Sequence, residues 1–388
     1  MKTITELAKD IETIVRKATS KPEEPVTLHE PVLKGNEKKY VNDCIDTGWV
    51  SSAGEYVNKF EKMLCNFTGA KYAIATVNGT AALHTCLLVA GIKPDHEVLC
   101  PALTFVATAN AISYCNAMPH FVDISPETLG VCPVLLRKHL QEIAVIKDGN
   151  CVNKNSGRTI KALVVMHCFG HPAKLDELKK VCKEFNLVLI EDAAEAIGSY
   201  YKGQHVGNHG LLSCLSFNGN KTITTGGGGA ILTNDAELAK QARHLTTTGK
   251  VAHQWEYFHD CVAYNYRLPN INAALGCAQL EQLDSILTVK RELAQNLNEL
   301  IAKVPELNFM TEPENCQSNY WLNAVLLNKN DHNFRDALLA ELHEGGIKAR
   351  PAWQLLSSLP MYKNSSQAPL TISREILANL INLPSSLR

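Results

Sequence analysis

Leu187-Val-Leu-Ile-Glu-Asp192 is the stretch on which the fold turns. Four apolar residues run without alternation and stop at two acids. A strand written this way is buried on both faces, which happens in parallel sheets covered by helices on each side. Working outward, the same texture recurs. Residues 72–77, 97–100, 119–124 and 161–167 read as further short apolar strands, and 211–217 and 230–233 add two more around a glycine-rich turn. Between them, 79–90, 107–115 and 175–185 carry apolar residues at helical spacing. Strands alternating with helices predict an α/β architecture with a large, mostly parallel sheet. Residues 272–303 keep helical spacing long enough to link two domains. After Pro305 the texture changes to a strand at 320–327, a helix at 333–343 and then irregular chain rich in Pro and Ser, which reads as a smaller α+β domain. The predicted division is a lead-in over 1–30, a large domain over 31–285, and a linking helix with the small domain over 286–388. The lead-in is amphipathic as far as the loop Lys21-Pro22-Glu23-Glu24-Pro25.

Composition narrows the possible functions. The chain of 388 residues carries 38 Lys and Arg against 39 Asp and Glu, a net charge of −1. A polyanion such as nucleic acid normally needs a basic field, so it is not the expected ligand. Hydrophobic residues at 45% and charged residues at 20% exclude disorder. No apolar run approaches the ~20 residues of a membrane span. Residues 1–16 lack the apolar core of a secretory signal, so a cytoplasmic location is expected. Thirteen cysteines without a C-x-x-C pair predict buried free thiols and no zinc site.

Three features follow predicted strands, where open α/β sheets place their ligands. Val77-Asn-Gly-Thr-Ala81 opens a helix; its free N–H groups and Gly79 suit a phosphate, although for this motif alone Asn78 as an ordinary cap is the better reading. Glu191-Asp-Ala-Ala-Glu195 places acids at the end of the apolar strand, where they are solvated, paired or functional. Ser216-Phe-Asn-Gly-Asn-Lys221-Thr-Ile-Thr-Thr-Gly226 holds one lysine in a polar turn with no acid beside it in sequence. A lone loop lysine is usually solvated. A phosphate-type turn, a strand-end acid and a lysine 29 positions after Asp192 nevertheless match the needs of one cofactor, pyridoxal 5'-phosphate. It requires a phosphate cradle, a carboxylate at its ring nitrogen and a lysine that forms a Schiff base.

On these stretches, and on Gly48-Trp-Val-Ser-Ser52, Pro101-Ala-Leu-Thr-Phe-Val-Ala-Thr108, Ser216 to Gly229 and Tyr264-Asn-Tyr-Arg267, the chain from about Val32 onward closely resembles the sugar-nucleotide aminotransferases of the DegT/DnrJ/EryC1/StrS family. The resemblance implies an aspartate-aminotransferase type fold, with a seven-stranded sheet in the large domain. It implies Lys221 as the Schiff-base lysine and shuttle base, and Asp192 as the acid that keeps the ring nitrogen protonated. Glu195 falls beside the cofactor's phenolic oxygen, where many members have glutamine. Gly79, Thr80 and Ser216 match phosphate-binding positions, and Phe105 matches the aromatic that stacks on the ring, although its pattern alone reads as core. Asn265 matches an asparagine that reaches the phosphate of the neighbouring subunit, which implies a homodimer. By pattern alone Asn265 could instead cap the following helix. Trp49 and Ser51 fall in the sugar-nucleotide segment, and Arg350 and Trp353 in a substrate-side loop. Gly227 stands where the wider family has glutamate. His167 and His171 read as structural or substrate-edge residues, since Lys221 already supplies the base.

The implied reaction transfers an amino group from glutamate to C4 of UDP-4-keto-6-deoxy-N-acetylglucosamine, as in bacillosamine and legionaminic acid synthesis. The alternative substrate is GDP-4-keto-6-deoxymannose, as in perosamine synthesis. The related dehydratases carry histidine at the lysine position, and a non-catalytic protein on this fold would typically have lost Lys221 or Asp192.

Overall fold

In the computed structural model, which describes residues 2–21 and 25–386, the apolar runs become one seven-stranded sheet. Pro22, Glu23 and Glu24 of the lead-in loop lie outside the described residues. The strands are β1 (Tyr72–Thr76), β2 (Glu97–Pro101), β3 (Met118–Val122), β4 (Ile160–Met166), β5 (Val188–Asp192), β6 (Leu212–Ser216) and β7 (Gly229–Thr233). Their order is β1-β7-β6-β5-β4-β2-β3, and β7 alone runs antiparallel to its neighbours. Alternate side chains leave on opposite faces. Leu163, Val165 and Leu189 enter one core; Ala162, Val164 and Ile190 enter the other. The second core is closed by helices α1 (Gly79–Val89) and α2 (Ala107–Tyr114), the first by α3 (Leu175–Glu184). The strand with the deciding sequence is thus central, and its C-terminal acid faces neither core freely.

The smaller layer is built on β8 (Leu307–Phe309), β9 (Asn323–Leu327), β10 (Arg350–Pro351) and β11 (Leu380–Leu383), in the order β8-β9-β11-β10. Three helices cover it: the lead-in helix Ile4–Thr19, the long helix Leu283–Ile301, and His332–Glu344. Leu7, Ile11 and Val15 of the lead-in interlock with Leu293, Leu297, Leu338 and Leu342. The amphipathic lead-in therefore belongs to this layer's core.

Three expectations are corrected. The linking helix is two helices, Asn270–Leu280 and Leu283–Ile301; the chain turns at Gln282, whose side-chain amide donates to Glu37 at 2.6 Å. The strand expected from 320 begins at Asn323, because Tyr320 takes a left-handed backbone, φ 46°. The last segment, expected to be irregular, forms the helix Thr371–Asn379 and β11. That helix is capped from across the molecule: Asp123 accepts the N–H groups of Ile372 (2.9 Å) and Ser373 (2.8 Å) and the Ser373 hydroxyl (2.6 Å). All thirteen cysteines are free, and most are buried, with Cys261 exposed. Among the described residues no helix is long and apolar enough to cross a membrane.

Candidate active site

The register of the central strands sets Asp192 level with Met166 of β4 and Cys214 of β6. Its buried carboxylate accepts the Thr108 hydroxyl at 2.8 Å, the Ala194 N–H at 3.2 Å and the Cys214 thiol at 3.4 Å. Glu191 points the other way. It accepts His167 Nε2 at 3.0 Å and the N–H groups of Gly207, His209 and Gly210 at 2.9, 2.7 and 2.6 Å. Burial alone would raise this acid, but His167 and the amides outweigh it and hold it down at about 2. Of the two strand-end acids, Glu191 is paired scaffold. His167 accepts the Ala173 N–H at Nδ1, 3.1 Å, so its proton sits on Nε2, toward Glu191. His171 is fully buried, edge-on to Tyr320, with burial pushing it down to about 4. His167 is bonded through both ring nitrogens, whereas both ring nitrogens of His171 are enclosed without a hydrogen-bond partner among the described residues.

The phosphate-type turn lies where β1, β6 and β7 converge, with Ser216 paired to Gly229 and Gly229 paired to Thr76. Asn78 does cap α1, accepting the Ala81 N–H at 2.8 Å. The amides of Gly79 and Thr80, ahead of that bond, belong to the first turn and have no intrahelical acceptor. A Cβ on Gly79 would stand 2.8 Å from Ser216 Cβ, and one on Gly229 would stand 2.5 Å from the Asn78 carbonyl. Gly79 and Ser216 therefore line one narrow cradle, and side chains at these glycines would fill it. Gly227 is different: a Cβ there meets nothing closer than 4.0 Å.

Lys221 sits in the turn between β6 and β7, with its amine 3.3 Å from Glu195 Oε1 and 4.0 Å from the centre of the Trp321 ring. The Trp321 indole N–H donates to the Asn220 carbonyl at 2.7 Å, which ties the turn to the small layer. Glu195 is fully buried and accepts the Phe169 N–H at 2.9 Å. Burial pushes its carboxyl up to about 7, against the opposing pull of Lys221 and the Phe169 amide. Near neutral pH this acid thus holds or yields its proton readily. Asn319 supports the wall, donating to the Glu195 and Ile197 carbonyls, each at 2.9 Å.

The structure therefore brings Lys221 into contact with Glu195, which also feels the Asp192 charge, and sets Gly79 against Ser216 at the cradle, with Thr80 in the same helix turn as Gly79. Phe105 is 51% exposed, which corrects its reading as core and leaves its ring free to cover a ligand. Trp353 stacks on Phe169 at 4.9 Å, one residue removed from Glu195, while Arg350 is exposed on β10. Trp49 lines a separate cleft of about 800 Å³ with Asp43, Tyr56, Lys59 and Asn270. The carbonyls of Trp49 and Ser51 accept Asn270, at 2.6 and 2.7 Å. Asn265 is exposed and, among the described residues, its side chain makes no bond to the cradle of its own protomer. Sequence reasoning missed Thr108, Phe169, Asn319 and Trp321. Only Thr108 had a signal, at the end of the 101–108 motif. It also missed an exposed cluster of His244, Asp260 and Cys261, whose His244–Asp260 pair is already satisfied at 2.6 Å.

These residues fit pyridoxal phosphate: side-chain-free space for the phosphate, a buried carboxylate for the ring nitrogen and a lysine amine at the pocket wall. Fold and site define a pyridoxal phosphate-dependent aminotransferase of the aspartate-aminotransferase type. The chain belongs to the DegT/DnrJ/EryC1/StrS aminotransferase family, whose profile matches residues 31–388. It is 37% identical to a GDP-perosamine synthase of Vibrio cholerae, over 93% of this chain and 94% of that protein. It is 38% identical to the GDP-perosamine synthase of Escherichia coli O157:H7, over 93% of each. A crystal structure of a DegT DnrJ EryC1 StrS aminotransferase from Brucella abortus superposes with a TM-score of 0.81 at 28% identity, covering 90% of both chains.

Proposed function

We propose that this enzyme aminates C4 of a nucleotide-linked 4-keto-6-deoxy sugar, with glutamate as donor, in a homodimer. The observation that carries the reading is the Lys221 amine, 3.3 Å from Glu195, a buried acid that also feels the Asp192 charge. When bound, pyridoxal phosphate supplies the electron sink that makes the donor's Cα acidic. Lys221 Nζ moves the proton from that carbon. Asp192, fixed by Thr108, holds the proton on the ring nitrogen. Glu195 takes or gives a proton at its carboxyl, poised by burial for work near neutrality. Gly79, Thr80 and Ser216 anchor the phosphate, and Phe105 covers the ring. Trp49, in a cleft of its own, and Ser51 are assigned to the nucleotide sugar, as are Arg350 and Trp353 of the small layer.

The two GDP-perosamine synthases favour a GDP-linked substrate, GDP-4-keto-6-deoxymannose, which ranked second in the sequence reading. UDP-4-keto-6-deoxy-N-acetylglucosamine, ranked first there, becomes the rival. The dimer is supported by an exposed apolar hairpin just ahead of Asn265, with Trp255 at 72% and Val262 at 91% exposure, among Tyr257 and Phe258. Visible absorbance tests the reading. Glutamate should bleach the cofactor band, and GDP-4-keto-6-deoxymannose should restore it. Restoration by the UDP sugar alone reverses the substrate order. No band after adding pyridoxal phosphate refutes the enzyme.

A further inference from the structure

Trp321 comes from the small layer, just ahead of β9, and meets Lys221 across the two layers. It is buried and tied at every polar atom. Its N–H donates to Asn319 Oδ1 at 2.9 Å, and its carbonyl accepts the Ser385 hydroxyl at 2.6 Å and the Lys290 amine at 3.2 Å. Both of those donors are themselves fixed. Lys290 is buried and also donates to the Ser385 carbonyl at 3.1 Å, and the Ser385 N–H donates to the Leu28 carbonyl at 2.7 Å. The indole N–H, the remaining polar atom, donates to the Asn220 carbonyl at 2.7 Å.

That carbonyl belongs to the peptide bond that enters Lys221, whose own N–H closes the turn on the Asn218 carbonyl at 3.0 Å. The ring face meets the other end of the lysine, 4.0 Å from its amine. One rigid side chain therefore grips Lys221 at both ends. Glu195 alone does not. Its 3.3 Å separation from the amine is longer than the ~2.7–2.9 Å of a tight charge-assisted bond, and the amine ends a flexible four-carbon stem. An indole face attracts an ammonium and blocks directions that the carboxyl leaves open. A sugar-stacking role suits this ring poorly: one face is taken by the amine, the Phe169 ring lies 6.5 Å away, and 5% of the residue is exposed.

We propose that Trp321 is a positioning residue for Lys221, its N–H fixing the peptide that carries the lysine and its face keeping the free amine beside the carbon whose proton it moves. Proton transfer needs the two heavy atoms within about 2.6–3.2 Å, so an amine that wanders loses rate while the substrate's own contacts stay unchanged. The proposal rests on Lys221 being the cofactor lysine.

The test compares Trp321→Phe, which keeps an aromatic face and loses the N–H, with Trp321→Leu, which loses both. In the holoenzyme, a single turnover with glutamate is followed by the visible band, using Cα-protiated and Cα-deuterated donor. The Leu variant should be slower by about 10²-fold, with a deuterium effect at least as large as in wild type, and Phe should recover about tenfold of that loss. Affinity for 2-methylglutamate, which lacks the Cα hydrogen and binds without proton transfer, should stay within about twofold in both. In the cofactor-free protein, a brief pulse of acetic anhydride should label the Lys221 amine about fivefold faster in the Leu variant, read by peptide mass spectrometry. Should Trp321→Leu not fold, Trp321→Met fills the space without a ring face. An unchanged rate or unchanged labelling overturns the proposal. So does a deuterium effect that falls toward one, a matching loss of 2-methylglutamate affinity, or a Phe variant as slow as Leu. A wild-type protein with no visible band overturns the Lys221 reading instead, and the proposal falls with it.

Discussion

Glu191 and Glu195 leave the same strand end four residues apart, both fully buried, and end in opposite states. Around Glu191, His167 and three backbone amides supply more donors than burial takes away, and the acid is held at about 2. Around Glu195 there is one backbone amide and a lysine at 3.3 Å, and the acid rises to about 7. A buried charge whose bonds are saturated within the chain is architecture. One whose bonds are left incomplete is waiting for a ligand or a proton. The saturated pattern recurs on β2, next to the edge strand, where Glu97 accepts from His120 (2.7 Å), Asn153 (2.9 Å) and Ser156 (2.5 Å).

The sharpest way to break this contrast is on the incomplete side. Lys221→Ala should cost at least about 10³-fold in turnover, with the fold intact by circular dichroism. Normal turnover would sink the assignment of chemistry to that pocket. On the saturated side, Glu191→Ala should lower unfolding free energy by about 3–5 kcal/mol in denaturant titrations, because His167 and three amides lose their acceptor.

The wild-type pH dependence checks the same group. Its pKa is depressed from 4.5 to about 2, so its contribution is complete above 4.5 and is lost as pH falls toward 2. That loss amounts to about 3 kcal/mol. Glu195 has the reverse sign. Its raised pKa means the unfolded chain sheds the proton first, so stability falls as pH rises from 4.5 through 7. Glu195→Gln in the cofactor-free protein should therefore be stabilising by up to about 3 kcal/mol at pH 8.5, with little change at pH 5, by thermal and chemical unfolding. The smallest effect concerns open space: Gly227→Ala should shift stability by less than about 0.5 kcal/mol, since nothing lies nearer than 4.0 Å to its Cβ.

What could be read in the sequence was what local chemistry determines. Apolar runs placed all seven strands of the sheet, and residues at or after strand ends, Gly79, Asp192 and Lys221, were found because that is where such sheets bind ligands. What could not be read arrives from far along the chain. Trp321 and Asn319 reach the pocket because Tyr320 and Phe169 adopt left-handed backbones, φ 46° and 55°, that no glycine advertises. The helix Thr371–Asn379 was invisible because its cap, Asp123, lies about 250 residues upstream. Glu191 and Asp192 could not be told apart, since the donors that separate them come from 108, 167 and 207–210.

The clip between Leu28 and Ser385 spans 357 residues. On a ribosome adding roughly 5–20 residues per second, residues 26–28 emerge some 20–70 s before the Ser385 segment that holds them. Until then the amphipathic lead-in helix has no completed layer to join, since β11 is among the last strands made. The small layer is therefore finished late in synthesis, and a chain truncated before residue 384 should collect as a species with a formed central sheet and a loose front end.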